Sequence, residues 1–154
     1  MEDDREQDMT RQFQQFARAY TNDALEARVL GANPAELVEM LYAGAVSALR
    51  NAVVAMHQKD YARKTECIGK AMDILNSLDS ALNHEKGGDI SQSLSALYGY
   101  CLKTVCEANV ENSEDKFEAV INVLLPLREA WEELGRQQRV ASAGSGRGHG
   151  SITA

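Results

Sequence analysis

Long stretches in which apolar residues recur every three or four positions alternate along this chain with short polar breaks. That period places the apolar residues on one face of an α-helix; a half-buried strand would need alternation. Four stretches carry the pattern. In the first, Leu37, Leu41, Ala45, Ala48 or Leu49, Ala52 and Met56 make a stripe, and Asn33-Pro34-Ala35-Glu36 precedes it. Asn is a good cap, proline suits the first helical position where no N–H is needed, and Glu36 falls three residues after the cap. The predicted helix covers residues 34–57. Val38, Met40, Tyr42 and Val46 widen its apolar surface, while Gly44, Ala45, Ala48 and Ala52 are small enough for another helix to come close.

Asp60 caps a second helix predicted over residues 61–83, with Tyr61, Thr65, Ile68, Met72, Leu75, Leu78 and Leu82 on its face. The break that follows is Glu85-Lys86-Gly87-Gly88-Asp89-Ile90. Glycine takes the left-handed backbone that ends a helix, Lys86 suits the negative helix end, and Asp89 with Gln92 forms a capping-box-like pair for the next one. The third helix then runs to about Asn109 with Ile90, Leu94, Leu97, Cys101, Val105 and Ala108 aligned. Ser113 caps the fourth, with Glu114 and Asp115 at its positive end. Its seam is Phe117, Val120, Leu124, Leu127, Trp131 and Leu134, with Ile121, Val123 and Leu125 off the seam. Pro126 lies inside this run and predicts a kink there.

Short connections force neighbouring helices antiparallel, so the expected fold is all-α: an antiparallel up-down-up-down four-helix bundle over residues 33–135 with a short N-terminal helical arm. Residues 1–12 are charged and polar and are expected to be disordered. Residues 13–32 form the arm, carrying Phe13, Phe16, Ala17 and Tyr20, then Leu25, Val29 and Leu30. These are too few for an independent helix, so the arm should dock on the bundle, either permanently or as a removable cover over a groove. Residues 136–154 turn polar and then Gly/Ser-rich, the composition of a flexible tail.

Composition narrows the function classes. At 154 residues one domain is the natural prior, and 44% hydrophobic residues suffice for a real core. No stretch approaches the ~18 uninterrupted apolar residues of a membrane span, and the acidic start Met-Glu-Asp-Asp is the opposite of a signal peptide. A net charge of −7 without a basic stripe argues against nucleic acid, whose binding rests on neutralising phosphates. Cys67, Cys101 and Cys106 form no CxxC and cannot all pair, which reads as reduced thiols in a cytoplasmic protein. A metal site in a bundle needs inward Glu-x-x-His pairs, and this chain has none. Its histidines are His57 and His84, near helix ends, and His149 in the tail, positions ill suited to metal ligation or phosphotransfer. No phosphate loop, nucleophile elbow or carboxylate dyad occurs either, so neither catalysis nor a cofactor is expected. Surplus apolar surface on the first and fourth helices remains, and it serves either the core or a partner helix bound through i, i+3, i+4 and i+7 positions.

Several segments taken together resemble the flagellar secretion chaperone family. Glu26-Ala-Arg28-Val29 followed by Ala32-Asn33-Pro34-Ala-Glu36-Leu37-Val38-Glu-Met40-Leu41-Tyr42-Ala-Gly44-Ala45 is similar to its entry motif. Lys59-Asp60-Tyr61 resembles its first turn. Glu85-Lys86-Gly87-Gly88-Asp89-Ile90 with Leu94, Leu97-Tyr98, Tyr100 and Ala108-Asn109 resembles its central signature, and Leu127-Arg128-Glu129-Ala130-Trp131 its closing motif. The likeness runs in order from about Tyr20 to Leu134. It implies a cytoplasmic, non-enzymatic chaperone that binds the disordered C-terminal region of flagellin, blocks premature polymerisation and keeps the subunit competent for the flagellar export gate. Tyr20 matches an arm tyrosine that this family links to cargo and export-gate contacts. Expected partner-binding residues are Tyr20, Leu25, Val29 and Leu30 in the arm, Leu41, Tyr42, Leu97 and Tyr98 on the bundle, and Ile121 and Leu125 on the fourth helix. The same groove would serve another flagellar partner, such as an anti-sigma factor or export component, and the chain is expected to be a monomer or homodimer.

Overall fold

The computed structural model describes residues 31–153, with side chains as far as Ala143. Expectations for residues 1–12 and for most of the arm, including Tyr20, Leu25, Val29 and Leu30, lie outside the described residues. Four helices follow one another: α1 (Pro34–His57), α2 (Tyr61–Ser80), α3 (His84–Glu111) and α4 (Glu114–Thr153). Local chemistry sets most of their starts. The Asn33 side chain accepts from the Glu36 backbone N–H at 2.9 Å, and its amide donates to the Glu36 carboxylate at 3.2 Å. Asp60 accepts from the Arg63 N–H and Ser113 from the Lys116 N–H, each at 3.2 Å. Between α3 and α4, Asn112 adopts the left-handed conformation (φ 51°, ψ 46°), one of the few non-glycine residues that tolerate it.

Each helix packs on its two neighbours in a closed ring, α1 on α2 and α4, and α3 on the same two. With connections of two or three residues, this is an antiparallel four-helix bundle. The approach of α2 and α4 to α1 is closer than their approach to α3. Small residues explain this: Ala45, Ala48, Ala52 and Ala55 are all buried on α1, and a methyl group at Gly44 would lie 3.3 Å from Ile74 Cδ1. Tyr42, Leu49, Ile74, Leu75, Phe117, Ile121 and Leu124 are the largest fully buried side chains and form the centre of the core. α1 is long and apolar enough to cross a membrane by composition alone, but 61% of that window is buried inside the bundle, as in a core helix.

The structure departs from the pattern in four places. α2 ends at Ser80, and the cap of the next helix is Asn83, whose side chain accepts from the Glu85 and Lys86 N–H groups at 3.1 Å. The Gly87-Gly88 pair therefore does not end α2. Gly88 (φ 48°, ψ −121°) instead interrupts α3 one turn after its start, in a conformation open only to glycine. Ile90 and Leu134, placed on apolar faces by their spacing, are exposed. Tyr61 and Thr65 are also exposed, because the buried face of α2 is led by Lys64, Cys67 and Ile68. Finally, α4 continues through Pro126, on its exposed side, and through the Gly/Ser-rich segment to Thr153, where composition alone suggests a flexible tail. No proline follows Leu134 to stop it, and the early part of this extension is fastened to α1. Asn33 Nδ2 donates to the Gly135 carbonyl at 3.1 Å, and Arg139 grips the Glu36 carboxylate with two contacts of 2.6 Å. Gly135 fits because an added Cβ would lie 2.9 Å from Glu36 Cγ.

Candidate partner-binding site

A groove of about 390 Å³ runs along the outward face of α1. Its floor is Met40, Ala43, Gly44, Ser47 and Asn51, spaced at three and four and so aligned on one face. Because most of these side chains are short, the flanking helices rise above them as walls. Cys67 and Lys70 of α2 stand on one side, Arg128 and Glu132 of α4 on the other. The α4 wall is braced by Glu39, which is almost fully buried and accepts from Arg128 Nε at 2.9 Å. A charge-assisted bond is what allows a carboxylate to stay at that depth. Lys70 pairs along its own helix with Glu66 at 3.6 Å. The floor is thus neutral and mostly of short side chains, and the rim is charged.

A second, smaller cavity of about 160 Å³ opens at the end of the bundle where α1 starts. Val38, Leu78, Leu82, Leu94, Tyr98 and Trp131 are among its lining residues, drawn from all four helices. Beside it the Tyr42 and Tyr98 hydroxyls are hydrogen-bonded, with ring centroids 6.4 Å apart. Burial pushes both phenols above their ordinary range, and pushes the Cys101 thiol up to about 11. All three are therefore neutral near pH 7, and the tyrosine pair is a packing joint between α1 and α3.

Of the expected binding residues, Leu41, Tyr42, Tyr98 and Ile121 are buried in the core and offer no open surface. Their spacing is right for an inward face, and burial is what an inward face does. Leu97 and Leu125 are half-buried. Leu125 shares a helix face with Arg128 and Glu132, three and seven residues on, which line the groove. The surplus apolar residues of α1, Val38, Tyr42 and Val46, are core. Ser47, Asn51 and Arg128 line the groove without having been singled out by pattern, although the small run at Gly44, Ala45 and Ala48 signals the close approach. Cys67 and Cys101 are buried, but Cys106 is exposed, since it lies one step past Val105 on the outer side of α3. His57 is exposed and pairs with Glu114 at 3.0 Å. Among the described residues no group of three His, Cys, Asp or Glu side chains gathers to hold a metal.

Comparison with known proteins gives one answer. The family described as "Flagellar protein FliS" matches residues 16–138. The chain is 38% identical to the flagellar secretion chaperone FliS of Salmonella typhimurium over 118 residues, 76% of this chain and 87% of the relative. It is 34% identical to that of Vibrio cholerae over 117 residues, covering 76% and 86%. Identity to that of Bacillus subtilis is 32% over 115 residues, covering 75% and 85%.

Proposed function

Because the chain belongs to the FliS family of flagellar secretion chaperones, we propose that it is a cytoplasmic, non-enzymatic chaperone for flagellin. In this reading it binds the disordered C-terminal region of flagellin, prevents premature polymerisation and keeps the subunit ready for the flagellar export gate. The observation that carries the reading is the groove along α1. It is open, with a floor of mostly small side chains that lets a partner backbone come close. A disordered segment that folds on binding lays one apolar stripe into such a groove. It loses chain entropy in doing so, which lowers affinity per area and favours later release. The partner contacts fall on the floor residues Met40, Gly44 and Ser47, with Leu125 and Arg128 at the wall. Tyr20, Leu25, Val29 and Leu30 are the arm residues expected to add to these contacts. Leu97 remains a half-buried candidate on α3, and Leu41, Tyr42, Tyr98 and Ile121 act by supporting the helices from beneath.

Polymerisation of purified monomeric flagellin from added seeds tests this reading. Equimolar chain should hold the flagellin in the supernatant after sedimentation. Filament growth at the rate seen without the chain would reject it.

A further inference from the structure

The two halves of α3 are built differently. In the second half, Cys101, Thr104, Val105 and Ala108 are all buried. Across residues 89–99 only Ser91 and Tyr98 are, and Ile90 is 71% exposed. That first half contains Ser91, Ser93, Ser95 and Gly99, all weaker helix formers than alanine or leucine. At one end stands Gly88, whose non-helical backbone breaks the run of the helix. At the other stands Gly99, exposed, with nothing within 4 Å of where its Cβ would be. Beneath the segment lies the end cavity, with the half-buried Leu94 and the buried Tyr98 in its lining. Of this segment only Leu94 and Tyr98 pack on the core, and two polar contacts add to them: the Ser91 hydroxyl donates to the Asn83 carbonyl at 3.0 Å, and the Tyr98 hydroxyl bonds that of Tyr42. α3 is also the helix that its two neighbours approach less closely.

We propose that residues 89–99 form a hinged flap over the end cavity, opening as a unit between Gly88 and Gly99 while α1, α2, α4 and the second half of α3 stay folded. Sub-global opening follows few apolar contacts and an interrupted backbone ladder, and both coincide here. Open, the flap uncovers Val38, Leu78, Leu82 and Trp131, an apolar trench continuous with the bundle interior. The Tyr42–Tyr98 bond is its latch. The inference stands on this chain's own packing and does not depend on which partner it binds.

Native-state amide hydrogen exchange of the full chain tests it. Amides of residues 90–97 should exchange on the order of 100-fold faster than those of residues 102–109. Tyr98→Phe removes the latch hydroxyl and keeps the ring; it should speed exchange of residues 90–97 about tenfold and leave residues 41–53 of α1 unchanged. Gly99→Ala, which meets no neighbour, should slow residues 90–97 and decides the case by itself if Tyr98→Phe does not fold. Equal exchange across the two halves of α3 would overturn the flap. So would an acceleration by Tyr98→Phe shared equally by all four helices, or no response to Gly99→Ala.

Discussion

Lys64 has only 4% of its surface exposed, an unusual place for a cation. Its ammonium donates to the Asn109 carbonyl at 2.9 Å and to the Asn112 side chain, and lies 5.8 Å from the Tyr61 ring centre. A cation at the carbonyl end of α3 answers both the orphan carbonyls and the negative end of the helix dipole. Lys64→Met keeps the stem and removes these bonds, so it should lower stability by about 1–3 kcal/mol, read as a shift in urea midpoint. Trp131 shows the limit of reading depth from spacing. Its seam position predicts full burial, yet it is half-buried at the rim of the end cavity. Trp131→Ala should accordingly cost about 1–3 kcal/mol, below the ~3–5 of a fully enclosed aromatic. Neither the Lys64 contacts nor the Glu39–Arg128 pair was legible in the sequence. Both join residues far apart in the chain, and a charged residue on a helix face reads as solvated unless its partner is known.

Element boundaries were legible wherever the signal was local. Asn33-Pro34, Asp60 and Ser113 start α1, α2 and α4 where their side chains can reach the first free N–H groups. The second connection misled for a physical reason. Two capping residues, Asn83 and Asp89, stand six apart with two glycines between them. Spacing cannot say which is used. Burial of Ser91 against the Asn83 carbonyl favours the earlier start and turns Gly88 into an interruption. Asn83→Ala should therefore cost about 1 kcal/mol in thermal or urea unfolding, and Asp89→Ala clearly less. The reverse order would restore Asp89 as the cap of α3. The exposure of Leu134 and Ile90 has the same origin as the depth of Trp131: a period of three and four gives the direction of a face but not how far the neighbouring helix extends.

For the whole molecule, the four-helix architecture and helix order followed from periodicity and short connections, and the family from motifs in register. The groove did not, because it is defined by what is missing: short side chains on α1 between taller walls on two other helices. The core carries a property that bulk unfolding can measure. Cys101, Tyr42 and Tyr98 are all held above their ordinary ionisation range by burial. Above about pH 9 the unfolded chain releases the Cys101 proton that the folded chain keeps up to about 11. The native state then binds more protons, so stability should be full below pH 9 and fall as pH rises toward 11, with the two phenols adding at the upper end. A urea midpoint that stays level across that window would show the three groups to be open to solvent.

The central claim, that the α1 groove receives a segment of flagellin, is tested most directly by calorimetric titration. The C-terminal segment of the cognate flagellin is titrated into the intact chain and into Ser47→Arg, whose long charged side chain fills the groove from an exposed floor position outside the core. The account predicts one-to-one binding to the intact chain, weakened at least about tenfold in Ser47→Arg, roughly 1.4 kcal/mol or more, while the two proteins melt at the same temperature. Absence of binding to the intact chain, or equal affinity for both proteins, would contradict it.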